Sequence, residues 1–340
     1  MSIVVTGASG FIGGSLLAAL ASAGHDVVTL DRRPLPPGRP TGTHLRTELT
    51  QPSDAALDAL HEAEAVLHLA GCPGVRDQAP DVTHRRQRDN VDATRAVLAA
   101  SGRHTPVLVL SSSSVYGGAT PAPQSDSAAG RAGAPKIRGS RESDPLRARG
   151  GYASSKIAAE QVCRQHAATG APVLVVRPFT VLGEGQRADM AVARWAHEAR
   201  SSGAITVLGS PQRTRDFTDV RAVARALMAL LTSGATGTVN IGTGRAHSLA
   251  ELAQAVSLAV GVAPDLRVVP AGRAEVVHTL ADTDRLRSLT GVVPHTDLVD
   301  VVARSVGSLN ARRGPAAEDD AERAASPEHG CAVGPELVVV

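Results

Sequence analysis

Near its start the chain runs from Ile3-Val4-Val5-Thr6 straight into Gly7-Ala8-Ser9-Gly10-Phe11-Ile12-Gly13 and on into a helix-length segment. Few local patterns constrain a fold so tightly. Glycine at positions 7, 10 and 13 lets the backbone turn sharply out of a strand, approach a pyrophosphate and pack a helix closely on a sheet. The helix start that follows offers unpaired N–H groups and a positive dipole end, so Ser9, Phe11 and Ile12 are counted with the glycines as a cofactor loop. A lone glycine pattern is weak, but here a strand precedes it and a helix follows. The second strand ends at Asp31, eighteen residues beyond Gly13. An acid there suits the hydroxyls of an adenosine ribose and hence NAD. Arg32-Arg33 come next, and an arginine nearby can accept the 2′-phosphate of NADP. Asp31 would repel that phosphate, so NAD is favoured and NADP stays open.

Behind this loop, short apolar runs alternate with helix-length amphipathic segments. Strands are expected at 3–6, 26–31, 65–69, 106–111 and 172–177, and helices at 12–23, 54–61, 80–101 and 152–169. The alternation predicts an α/β fold: a Rossmann-type doubly wound parallel sheet over 1–177, with 209–245 returning to it. A smaller C-terminal substrate-binding lobe is expected from 178–208 and 246–310. Residues 117–151, rich in Gly, Ala, Pro, Ser and Arg, read as loop with an insertion in the middle. The tail 311–340 is polar and marked by proline until Leu337-Val338-Val339-Val340, and is expected to be largely disordered.

Composition removes several functions. Aromatic residues make up only 2% of the 340, which leaves no stacking platforms for single-stranded nucleic acid. A net charge of +2 provides no basic field for nucleic acid or a membrane surface. No apolar run is long enough to span a bilayer, and no signal peptide is expected. Cys72, Cys163 and Cys331 lie far apart without metal-ligand spacing, so no metal is expected and a cytoplasmic location fits.

The chemistry is carried by Tyr152-Ala-Ser-Ser-Lys156. Only two lysines occur in the chain, Lys136 and Lys156, and only two tyrosines, Tyr116 and Tyr152. On a helix, positions i and i+4 share a face, and an ammonium near a phenol favours the phenolate. Such a phenol can take a proton from an alcohol. Alone the pair is short and common, and a solvated helix could carry it by chance; its surroundings decide.

With both motifs placed, the chain resembles the extended short-chain dehydrogenase/reductase family in its NAD-dependent epimerase/dehydratase branch, from Met1 to about Ser308. The resemblance rests also on Glu48-Leu49, His68-Leu69-Ala70-Gly71, Asn90-Val91, the run Ser111 to Gly117, Arg177-Pro178-Phe179, Arg215-Asp216-Phe217 and Asn240 to Gly244. It implies a catalytic Ser112, Tyr152 and Lys156. It further implies a tightly held NAD against Glu48, Leu49, Leu69, Ala70, Gly71, Asn90 and Pro178 as well as the loop, Asp31, Arg32, Tyr152 and Lys156. Family dehydratases carry Asp-Glu after the catalytic serine and family decarboxylases a Glu at the second position, whereas this chain has Ser113-Ser114. The segment Arg177 to Met190 and Pro73 to Arg76 are similar to UDP-glucuronic acid 4-epimerases, the moenomycin-pathway type among them. That similarity implies a UDP-sugar 4-epimerase acting on UDP-glucuronate and UDP-galacturonate, with substrate held by Arg76, Ser112, Ser113, Ser114, Thr180, Arg187, Arg215 and Arg273. It also implies a homodimer built on helices 80–101 and 152–169. The alternatives are a UDP-glucose/galactose epimerase, a uronate decarboxylase, a 4-ketosugar reductase or a non-catalytic NAD(P) sensor. The chain departs from the family pattern at Ala188, at Ala271 to Glu275, and at Val220-Arg221-Ala222-Val223, where an acid that steadies the turn is missing.

Overall fold

The computed structural model describes residues 2–40, 42–121, 137–272 and 275–313. The middle of the expected insertion, Arg273 and the tail beyond residue 313 lie outside the described residues.

In chain order the strands of three or more residues are β1 (Ile3–Thr6), β2 (Val27–Asp31), β3 (Thr43–Arg46), β4 (Ala65–His68), β5 (Val107–Leu110) and β6 (Val173–Pro178), then the lobe strands β7 (Thr180–Leu182), β8 (Ala204–Leu208) and β9 (Phe217–Asp219), then β10 (Gly237–Ile241) and β11 (Asp265–Val269). Seven of them make one parallel sheet in the order β10-β6-β5-β4-β1-β2-β3. The fold is therefore the doubly wound α/β sheet expected from the sequence. β1 is buried along its whole length, as befits a strand covered on both faces. Helices α1 (Phe11–Ser22) and α7 (Val220–Thr232) cover one face, where Leu16, Leu20, Val223 and Leu227 pack on Val5, Leu67 and Ile241. Helices α2 (Asp54–His61), α4 (Ala93–Ala100) and α5 (Gly151–Ala167) cover the other, where Leu60, Val97 and Val162 meet Val4, Val66 and Val109. Strand order reverses between β1 and β4, and the crevice beyond their carboxyl ends is the natural ligand site of such a sheet.

Three departures from the sequence reading have physical causes. The helix expected over 80–101 is broken: α3 (Val82–Arg86) gives way to a π-helical turn, Gln87–Asp92, before α4. A π turn inserts an extra residue, and this one turns Asn90 inward. Strand β3, with its mixed burial, has no apolar run and forms because β2 offers an open edge. Within 209–245 only α7 and β10 join the main core, while β9 pairs with β7. In turn, α9 (Asp284–Thr290), from the stretch assigned to the lobe, buries Leu286 in the main core.

The lobe has its own apolar centre, in which α6 (Ala191–Ser202), α8 (Leu249–Val260) and α10 (Leu298–Arg313) close over Ile205 and Val207 of β8. A capping box of Ser248 and Glu251 starts α8. The turn into α7 is capped by Asp219, which accepts the Arg221 N–H at 2.8 Å. Arg304 of α10 donates to Asp219, Glu184 and Asp300 at 2.5, 2.6 and 2.9 Å. The lobe is tied to the sheet through Asp216. Its buried carboxylate accepts both the N–H and the hydroxyl of Thr243, the N–H of Gly244 and the N–H of Ala281, at 2.7–3.1 Å. Replacing Asp216 by Ala removes the acceptor of four hydrogen bonds, the buried Ala281 N–H among them, and is expected to lower stability by about 1–3 kcal/mol. Urea unfolding followed by circular dichroism measures this; a midpoint equal to that of the parent protein would refute the knot.

Candidate active site

The crevice at the switch point opens into one long cleft of about 1820 Å³ that runs from the glycine loop across the sheet edge into the lobe. At its inner end, Gly7 has φ 70° and lies so close to the end of β4 that a Cβ there would stand 2.5 Å from the Ala70 nitrogen. A Cβ at Gly13 would stand 2.7 Å from the Gly7 oxygen. The missing side chains are thus what lets loop, helix and β4 close into a cradle. No side chain caps α1, whose Ncap is Gly10, so its first N–H groups remain available to an anion.

Asp31 is buried at the end of β2, and each of its oxygens accepts one backbone N–H at 3.0 Å, from Ser9 and Arg33. A carboxylate has lone pairs for about four donors, so capacity for two ribose hydroxyls is left. Arg32 turns away from it and pairs with Asp89 at 2.5 Å and Glu48 at 3.3 Å. Glu48, Leu49, Leu69, Ala70, Gly71 and Pro178 all line the cleft. Asn90 does not. Its amide accepts the Cys72 N–H at 2.8 Å and donates to the Cys72 carbonyl and the Ser155 hydroxyl, bracing the end of β4 against α5. The cradle, the buried acid and the open helix start fit NAD.

A buried His68, which sequence reasoning did not count as a site residue, fixes this wall. The Thr94 hydroxyl donates to the Asn90 carbonyl and therefore accepts from His68 Nε2, while Nδ1 accepts from Thr6. Thr6 Oγ1 then accepts the Ala70 N–H at 3.3 Å. Burial, with the Lys156 charge nearby, lowers the His68 pKa to about 3, so the ring is a neutral link.

Tyr152 and Lys156 lie where β5 ends against α5. Burial pushes the Tyr152 phenol's pKa up, against the nearby Ser112 hydroxyl and the Arg187 charge, which pull it down. Lys156 is buried and donates to the Leu110 carbonyl at 2.9 Å, and burial lowers its pKa to about 8. Its ammonium also lies against Gly71, where a Cβ would stand 3.3 Å from Nζ. Ser112 caps the short helical turn Ser113–Tyr116 by accepting the Ser114 N–H. Ser113 and Ser114 line the cleft, and the Ser114 hydroxyl is buried without a hydrogen-bond partner among the described residues. Tyr116 is core: it stacks on Phe179, and its hydroxyl accepts from Arg177 and donates to Asn240.

At the lobe end, Thr180, Arg187, Arg76 and Arg215 line the same cleft. Arg187 forms a fork on Asp189 with both distances 2.8 Å. Arg76 pairs with Glu275 at 2.6 Å. Arg215 donates to the carbonyls of Thr214, Val276 and Val277, and burial lowers its pKa to about 10. The structure brings together every site residue named from the sequence except Asn90, which braces from behind, and Arg273, which lies outside the described residues.

A tyrosine–lysine pair beside a dinucleotide crevice fits a dinucleotide-dependent enzyme. The comparisons narrow this. Residues 3–242 match the NAD dependent epimerase/dehydratase family. A GDP-6-deoxy-D-mannose reductase of Pseudomonas aeruginosa is 32% identical over 304 residues, covering 86% of this chain and 91% of its own. An uncharacterized UDP-glucose epimerase, YtcB of Bacillus subtilis, is 27% identical over 331 residues, covering 91% and 98%. Among solved structures, MoeE5 in complex with UDP-glucuronic acid and NAD is similar, with a TM-score of 0.77, 33% identity, and coverage of 92% of this chain and 100% of that one. MoeE5 has also been solved with UDP-glucose and NAD. The chain belongs to the NAD dependent epimerase/dehydratase family, and its cofactor is NAD.

Gly7→Ala tests the cradle. Strain at a left-handed position costs about 1–3 kcal/mol, and here the added carbon also meets the Ala70 backbone. NAD affinity measured by calorimetry is expected to fall about tenfold or more; unchanged affinity would remove Gly7 from the site.

Proposed function

We propose that the protein is a UDP-sugar 4-epimerase that interconverts UDP-glucuronate and UDP-galacturonate through a transient 4-keto sugar. The observation that carries this reading is the wall beside Tyr152. Ser113 and Ser114 stand where an eliminating or decarboxylating site needs an acid, and the Ser114 hydroxyl has no partner among the described residues. MoeE5, solved with both UDP-glucuronic acid and UDP-glucose, supports a UDP-sugar as the ligand class.

NAD, when bound, supplies hydride uptake and return at the sugar carbon. The protein's own groups do the rest. Ser112 orients the reacting hydroxyl, and Tyr152 takes its proton and later gives one back. The Lys156 ammonium holds positive charge under the site. A 4-keto uronate is a β-keto acid and loses CO₂ when the breaking bond aligns with the ketone. Fixed donors prevent this by holding the carboxylate out of alignment, and Ser113, Ser114 and Thr180 are such donors. Charged hydrogen bonds of this kind contribute about 1.5–3 kcal/mol each. Arg187 and Arg76 supply cations for the carboxylate or diphosphate, and Arg215 joins them at the lobe wall. Pairing of two chains through α4 and α5 into a homodimer belongs to the same proposal.

Incubation with UDP-glucuronate and NMR of the products is expected to give UDP-galacturonate. Formation of a UDP-pentose with release of CO₂ as the main product would overturn the reading. Tyr152→Phe is expected to lower kcat by about 10²–10⁴, the usual contribution of a positioned acid–base group. The double change Ser114→Ala with Thr180→Val is expected to raise the pentose by-product while Tyr152 chemistry persists. An unchanged product ratio would refute the carboxylate clamp.

A further inference from the structure

Consecutive residues at the end of β5 face one stripe of α5. The Leu110 carbonyl holds Lys156, the Ser111 hydroxyl donates to Glu160 at 2.6 Å, and Ser112 lies near the Tyr152 phenol. Tyr152, Lys156 and Glu160 are spaced four apart, so they form one stripe on the helix. Glu160 is 2% exposed, and Arg177 of β6 closes on it as a fork, Nε to Oε1 at 2.9 Å and Nη2 to Oε2 at 2.6 Å. A buried ion pair of this kind is weak evidence for stability, because desolvation offsets much of the attraction. Its position invites another role.

We propose that Glu160 is a positioning residue for Lys156: locked to Ser111 and Arg177, its carboxylate keeps the Lys156 ammonium charged inside the protein. The groups that act on Lys156 come from three elements. Glu160 and Cys163 lie on α5, Cys72 follows β4, and His68 lies on β4. Tyr152 is a turn before it. Burial pushes the Cys163 thiol up to about 12 and raises the Cys72 thiol, so both stay neutral near pH 7. His68, at about 3, is neutral too. Glu160, forked by the Arg177 guanidinium, is thus the carboxylate among them. Arg177 from β6 and Arg164 from the next turn of α5, 3.8 Å away, approach that carboxylate themselves. They fix it in place, and the lysine shares it.

The sign follows from the depressed lysine. Its ammonium is present below the midpoint of about 8 and is lost as pH rises through it. Removing the carboxylate moves that loss to lower pH. Because the chain has only two lysines, NMR of protein carrying isotope-labelled lysine resolves Lys156, with Lys136 as an internal control. In Glu160→Gln the Lys156 midpoint is expected to fall by about one pH unit or more, the size of shift an opposite charge one helical turn away produces. That variant leaves Arg177 uncompensated, so Glu160→Gln with Arg177→Gln serves as the neutral pair, and its Lys156 midpoint is expected to fall as well. A midpoint equal to that of the parent protein in either folded variant overturns the proposal. The use of the lysine charge rests on the epimerase reading, in which the alkaline limb of the kcat profile moves down with the midpoint while KM changes little. The lysine titration needs no substrate, so a protein inactive on UDP-sugars and a lysine indifferent to Glu160 are separate results.

Discussion

The chemistry of this molecule depends on helix α5 lying in one register on the end of strand β5. Leu110 and Ser111 take hold of Lys156 and Glu160, and Ser112 lies near Tyr152. A strand rises about 3.3 Å per residue and a helix about 6 Å per four residues, so the two meet only over a short crossing. Slipping the helix by one residue would rotate the stripe by about 100° and break both hydrogen bonds at once. Arg177 reaches from the neighbouring strand to Glu160, which couples the crossing to the sheet.

The cofactor wall uses the same device on the other side of the switch point. The π turn delivers Asn90 to Cys72 and Ser155, and the chain Thr94, His68 and Thr6 ends on the Ala70 N–H. Each link is a neutral hydrogen bond in a buried setting, where an unpaired member would be expensive to leave. Position at the cradle is therefore set from behind by polar groups that need not meet a ligand.

The local part of this architecture was legible in the sequence. Alternating apolar runs located the main-sheet strands other than β3 and β10 to within a residue or two, and the glycines of the first loop and the Tyr152–Lys156 spacing marked the two halves of the site. Contacts between residues far apart in sequence were not legible, because periodicity reports only which face a residue shows. Arg32 reads as a cofactor neighbour, and it does line the cleft, but its pairing with Asp89, 57 positions away, is visible only in the fold. Asn90 reads as a ligand contact until the π turn points it at Cys72. Glu160 is not singled out by the sequence, and only the fold shows that Ser111 and Arg177 converge on it. Strand β3 exists because an edge was open, which is a property of the sheet rather than of its own residues.

Asp216 has a consequence for how the cleft can work. One carboxylate pins β9's lead-in, the turn after β10 and the segment at Ala281, and Arg304 clamps the lobe's last helix to the base of α7. These bonds fasten the lobe to the sheet along the seam where the cleft lies. On the proposed epimerase reading, a sugar that presents both faces to the same cofactor turns over between these joined walls, and the width of the cleft bears on which sugars can complete the turn.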